Sequence, residues 1–231
     1  MITNLFFRGF IHRFLISIVF WFFILACRFG YATPLCGDLN NSFGPFDYRD
    51  PKIRQGASNP LHLVEMAHFT PKVESLIRGN AGTLMQDIDY TLRAFPNHPR
   101  ALNSVARYER QQIKKAKLEG GIYTPPMMND RALSAECYFD RAIRWRPDDP
   151  NVRLVYGIHL HLSGRLNEAL QQYKMSEKIQ PNVADLQYNL GLLYFDMKQY
   201  ALAKQHARKA YQLGYPLPGL RKKLVSVGQW P

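Results

Sequence analysis

Beyond residue 70 the chain alternates apolar and polar positions with a helical rhythm, and prolines cut that rhythm into blocks. In "NVRLVYGIHLHL", "LNEALQQYKMSEKI", "ADLQYNLGLLYF" and "YALAKQHARKAYQL" the apolar residues return every three or four places, which predicts amphipathic helices with one buried stripe each. "TPKVESLIRG" predicts a helix with Thr70 as N-cap, Pro71 at the first helical position and Gly79 as its stop. Further helices are predicted at about 83–95, in "ALNSVARYERQQIKKAKLEGG" from Ala101 to about Leu118, and in "RALSAECYFDRAIRWRP".

Two junctions between blocks are near-copies: "DYTLRAFPNHPRAL", Asp89 to Leu102, and "FDRAIRWRPDDPNVRL", Phe139 to Leu154. Aligned on Pro96, Pro147, Pro181 and Pro216, the block ends are spaced 51, 34 and 35 residues apart. Thirty-four is the period of the tetratricopeptide helix-turn-helix repeat, and the first spacing becomes regular if 17 residues are inserted. Within the period, Gly157, Leu160, Gly164, Ala169, Tyr173, Ser176 and Pro181 set small and large side chains in the order this repeat uses, and Gly191, Tyr194, Ala203 and Ala210 follow about 34 later. Ala135, Phe139, Ala142 and Pro147 supply another half-unit. Small residues let the two helices of a hairpin approach, large ones fill the gap to the next hairpin, and proline ends the second helix.

Over residues 70–216 the chain therefore resembles tetratricopeptide repeat proteins. The phrases "GPFDY" and "HFTPKVESLIRG" are also similar to those in exported proteobacterial members of this repeat class. The resemblance implies an all-α fold, a right-handed superhelix of four hairpins at about 70–98, 99–149, 150–183 and 184–216. The first unit is the faintest, with Leu84 and Thr91 where alanines are expected. The inserted residues fall at 119–130, where "EGGIYTPPMMND" pairs glycines and prolines in a predicted loop ended by helix-initiating Asn129 and Asp130. Residues 33–69 show no period and predict an irregular N-terminal arm, anchored by Phe43, Phe46 and Tyr48 and able to fill part of the groove. "LPGLRKKLVSVGQWP", residues 217–231, predicts one short helix capping the last hydrophobic face.

The first 32 residues differ. "MITNLFFRGFIHRF" is basic and "LISIVFWFFILA" is an apolar run of about a dozen residues, shorter than the roughly 20 a membrane-spanning helix needs. A secretory signal peptide cut after Ala32 is expected, with export to the periplasm or beyond; an anchor at residues 14–27 and lipidation at Cys27 are the alternatives. Such a cut leaves Cys36 and Cys137, an even pair in an oxidising compartment, as a disulfide or as two free thiols. The formal charge of +12 falls to +9 with the loss of Arg8, Arg13 and Arg28. Outside the cytoplasm this basic balance points away from nucleic acid and toward acidic proteins, anionic lipid or cell-wall polymers.

No motif in the chain carries chemistry. P-loop, G-x-S-x-G, H-E-x-x-H and C-x-x-C patterns are missing, and no cofactor or metal is expected. His159 and His161 stand two apart on a helix and diverge, as do Asp87 and Asp89; Asp148 and Asp149 belong to a turn; His62, His68 and His98 have no visible partner. The repeat instead implies a surface lined by the first helix of each hairpin. Its groove positions fall on Arg100, Asn103, Arg107, Arg110 and Gln111 in the second unit. In the third they are Asn151, Leu154, Ile158, His161 and Leu162, and in the fourth Asp185, Tyr188, Leu192, Phe195 and Asp196. A groove basic at one end and apolar at the other suits a partner protein or peptide with an acidic segment. The expected function is a non-enzymatic scaffold of the bacterial envelope. A membrane-surface or cell-wall binder using the basic helix Arg107–Lys117 is the alternative, and an enzyme with an unrecognised site between arm and groove is a third reading.

Overall fold

The computed structural model describes residues 36–56, 59–129 and 131–230. The apolar run, Cys27 and the cut after Ala32 lie outside them. The described chain is all-α: α1 (Pro60–His68), α2 (Pro71–Glu74), α3 (Leu84–Ala94), α4 (Pro99–Leu118), α5 (Ala135–Trp145), α6 (Pro150–Leu162), α7 (Leu166–Ile179), α8 (Ala184–Asp196), α9 (Tyr200–Gln212) and α10 (Gly219–Ser226). The strands are two-residue pieces, β1 (Met127–Met128) and β2 (Arg131–Ala132), paired antiparallel.

Local signals start and stop most of these helices. Thr83 and Gln86 form a reciprocal capping box on α3, His98 accepts the Ala101 N–H to open α4, and Asp149 accepts from Asn151 and Val152 to open α6. α6 packs along α7, and α8 along α9, as antiparallel hairpins. The small positions are required there. A Cβ on Gly157 would lie 2.4 Å from the Tyr173 ring, and one on Gly191 would lie 2.4 Å from Leu220.

The first two units depart from the predicted outline. α1 is a full helix inside the stretch expected to be irregular, and it packs on α3. α2 ends at Glu74, well before Gly79, because Leu76 turns left-handed at φ 61° and Ile77 N–H returns to Lys72 O. α4 runs to Leu118. The next helix starts at Ala135 with Ser134 as its cap, so Asn129 does not initiate it. Asn129 lies at φ 48° between β1 and β2, while Arg131 is drawn away to form a buried ion pair with Asp89.

Cys36 and Cys137 are joined in a disulfide. From there the arm runs along the edge where hairpins meet. Phe46 N–H donates to Ala94 O, Tyr48 N–H donates to Asn97 Oδ1, and Arg49 pairs with Asp148 and Asp149. Asn97 donates to both Asp47 and Asp149, so the segment 46–49 stitches together the two near-identical proline junctions. Phe43, Phe46 and Tyr48 pack on Phe95 and its neighbours as a small separate core. Arg141, buried and with no carboxylate partner among the described residues, donates to the carbonyls of Cys36 and Asp38.

Candidate functional site: the inner helix face

The first helices of successive hairpins approach one another, α4 to α6 and α6 to α8, whereas the second helices make no comparable approach. The inner, concave face is therefore lined by α4, α6 and α8. The described part of the arm contacts the hairpin junctions and α5, and its helical end brings Glu65 to Arg100 at the edge of this face.

The groove positions do not all remain available. Arg100 is spent: its guanidinium binds Glu74, with Nε to Oε1 at 2.8 Å, and lies 3.5 Å from Glu65. The bond to Glu74 holds its pKa well above the ordinary arginine value. Leu154 and Tyr188 belong to the core, 9% and 8% exposed. Tyr188 stacks on Tyr215 at 3.9 Å and its hydroxyl accepts the Leu220 N–H, so it offers no free aromatic surface. Phe195 is half-buried, with Lys223 Nζ 4.9 Å above its ring. The cause is α10, which takes the place a fifth first helix would hold and lies against both α8 and α9. His161 and Asp196 bind each other at 2.9 Å, and Asp196 also meets Lys223.

What stays open is the middle of the face. Arg107 and Arg110 stand on one side of α4, half-buried, and among the described residues neither meets a carboxylate within ion-pair distance. Arg107 donates only to the Glu74 carbonyl, at 3.4 Å. Arg110 donates to His159 Nδ1 at 3.2 Å; burial and the neighbouring Arg107 charge lower its pKa. Asn103 is half-buried and Gln111 exposed beside them, with Ile158 and Leu192 half-buried, Asn151 and Asp185 exposed, and Leu162 62% exposed on the neighbouring helices. The other ring nitrogen of His159 lies 3.7 Å from Glu136. Burial raises the Glu136 carboxyl, but His159, the Tyr156 hydroxyl and Arg165 outweigh it and hold its pKa down at about 2.

Against this geometry, a family model described as the TPR repeat matches residues 159–198. Residues 159–198 carry a tetratricopeptide repeat. Solved repeat structures give likenesses of low score: PilF of Pseudomonas aeruginosa (TM-score 0.48, 18% identity, 73% of this chain and 68% of that one) and a thermophilic TPR protein of Thermus thermophilus (0.46, 20%, 75% and 84%). YrrB, a TPR protein with an unusual peptide-binding site, aligns at 0.36 with 18% identity over 77% of this chain and 94% of that one. None of these scores adds to what the hairpins themselves show. No curated protein matches.

Outside the tetratricopeptide groove, the titratable groups weighed in the sequence have structural partners, His62 excepted. Asp87 accepts the backbone N–H groups of Asn80, Ala81 and Gly82 and the His68 ring. Asp89 takes Arg131 bidentately, the Tyr138 hydroxyl and Arg93. His98 is buried between Tyr48 and Phe69 and meets Glu65 at 3.1 Å; His62 is exposed on α1. Among the described residues no group of three or more His, Cys, Asp or Glu could hold a metal, and no helix is long and apolar enough to cross a membrane. His159 is the residue whose place beside the groove the repeat spacing missed. Its signal was the i+1 offset from the groove position at Ile158, which aims it at the preceding unit rather than into the open face.

Proposed function

We propose that the protein is an exported, non-enzymatic scaffold whose inner repeat face holds an acidic, partly apolar segment of another envelope protein. The repeat supports protein–protein interaction in general. The observation that carries the finer reading is the pair Arg107 and Arg110, two half-buried cations on a groove helix with no carboxylate partner among the described residues, with Leu162 exposed on the neighbouring groove helix. Partly desolvated guanidinium groups bind a carboxylate bidentately and more strongly than fully hydrated ones. Export is supported by the apolar leader and by a disulfide, a bond that persists in oxidising compartments. Replacing Arg107 and Arg110 by glutamate is expected to abolish co-purification of the partner while circular dichroism and the thermal midpoint stay unchanged. An unaltered set of partners rejects the assignment.

A second reading rests on the end of α4 and the loop after it. Ile113, Leu118 and Ile122 are exposed, the last at 94%, beside Lys114, Lys115 and Lys117. Basic and apolar side chains mixed in this way suit an anionic membrane surface. Salt-sensitive binding to anionic vesicles that Leu118→Glu and Ile122→Glu remove would favour it.

A further inference from the structure

The last 34 described residues, 197–230, hold seven Lys or Arg and no Asp or Glu. Their distribution is uneven in what it meets. Lys223 reaches Asp196, and Arg221 lies over the Tyr211 and Trp230 rings. Lys204, Arg208 and Lys209, on α9, meet no carboxylate among the described residues and donate no side-chain hydrogen bond there. They surround an open cavity of about 470 Å³, completed by Ala201 and the amides of Gln205, Gln212 and Gln229. Gln229 reaches the cavity because Gly228 turns left-handed at φ 69° and Gln229 N–H returns to Leu224 O, bending the tail back after α10. Trp230 then packs edge-on against Tyr211, at 5.9 Å, and fixes that bend.

This arrangement is costly without a ligand. Lys204 and Arg208 stand four apart on one helix, where like charges repel, and no acid in the segment offsets them. Three cations around a concavity focus positive potential into it, and the three amides add neutral donors that a polyoxyanion can use. We propose that this cavity binds a phosphate-bearing anion. Arg208 would hold two phosphate oxygens through its planar fork, and the two lysines would act as point charges beside it. The site lies on the second helix of the last hairpin, away from Arg107 and Arg110 on α4, and stands independently of the groove.

The test uses the full chain, sodium tripolyphosphate as the soluble probe, and phosphatidylcholine vesicles with and without phosphatidylglycerol. Wild type is expected to bind tripolyphosphate in a salt-sensitive way by calorimetry. The triple variant Lys204→Gln, Arg208→Gln, Lys209→Gln should lose tenfold or more in affinity at an unchanged thermal midpoint. The control Lys52→Gln, Lys72→Gln, Lys178→Gln removes the same charge from exposed positions elsewhere and should lose less than threefold. Equal losses in the two variants mean general attraction by net charge and overturn the proposal, as does absence of binding by wild type. Phosphatidylglycerol-dependent vesicle binding lost in the first variant alone assigns the site to lipid headgroups. Tripolyphosphate binding without vesicle binding assigns it to soluble phosphates.

Discussion

Asp89 shows how one side chain can tie together parts of a repeat that sequence places far apart. It is buried in α3, yet it holds Arg131 from the inserted segment and Tyr138 from α5. Burial alone would raise its pKa; Arg131 and Tyr138 reverse that and keep it ionised. Asp89→Ala leaves the Arg131 guanidinium buried and unpaired, and we expect a loss of about 3–5 kcal/mol in urea unfolding. A loss under 1 kcal/mol would mean the pair is dispensable. The two acids of "DIDY" do face apart, as their spacing dictates, but sequence could not reveal that both directions are buried, because Asp89's partner comes 42 residues later. The small positions were legible, since the period itself marks them. Gly157→Ala is expected to cost about 1–3 kcal/mol by pressing a methyl into Tyr173, again read by urea unfolding.

Among the elements, the hairpins α6–α7 and α8–α9 were readable because their signals are local: helical period, small residues at fixed offsets, and a closing proline. The fold of the first unit was not, because α1 sits in a segment without repeat spacing and α2 is cut short by Leu76. The C-terminal helix was recognisable as a cap, but its side of docking was not, and that side decides that Tyr188 and Phe195 are covered. The arm depends on long-range contacts throughout, from Asn97 to the disulfide. Reduction, or Cys36→Ser with Cys137→Ser, removes a cross-link between residues 101 apart, worth about 4–5 kcal/mol on the chain-entropy estimate. The expected result is a lower thermal midpoint together with earlier proteolysis near residues 36–50. An unchanged midpoint would show that the arm is held without it.

At the scale of the whole molecule, ion pairs lace the units together and set the response to acid. Glu136 is held at about 2 against an ordinary value of 4.5, and Glu65 and Glu74 are lowered by bonds from His98 and Arg100. Groups depressed on folding contribute stability that is complete above about pH 4.5 and is lost as pH falls toward 2. Glu109, raised by burial, works in the opposite sense and blunts the effect. The thermal midpoint should accordingly fall between pH 4.5 and 2; a flat profile there would mean the pairs contribute nothing. The net charge of +12 draws anions to every face, so location is what separates a site from general attraction. The most direct measurement is photo-crosslinking in cells from a probe amino acid at position 162, in the open part of the groove. The expected result is a discrete adduct with another envelope protein, lost in Arg107→Glu, Arg110→Glu and kept in Arg208→Glu. Absence of an adduct, or an adduct indifferent to both groove arginines, contradicts the groove as the binding surface.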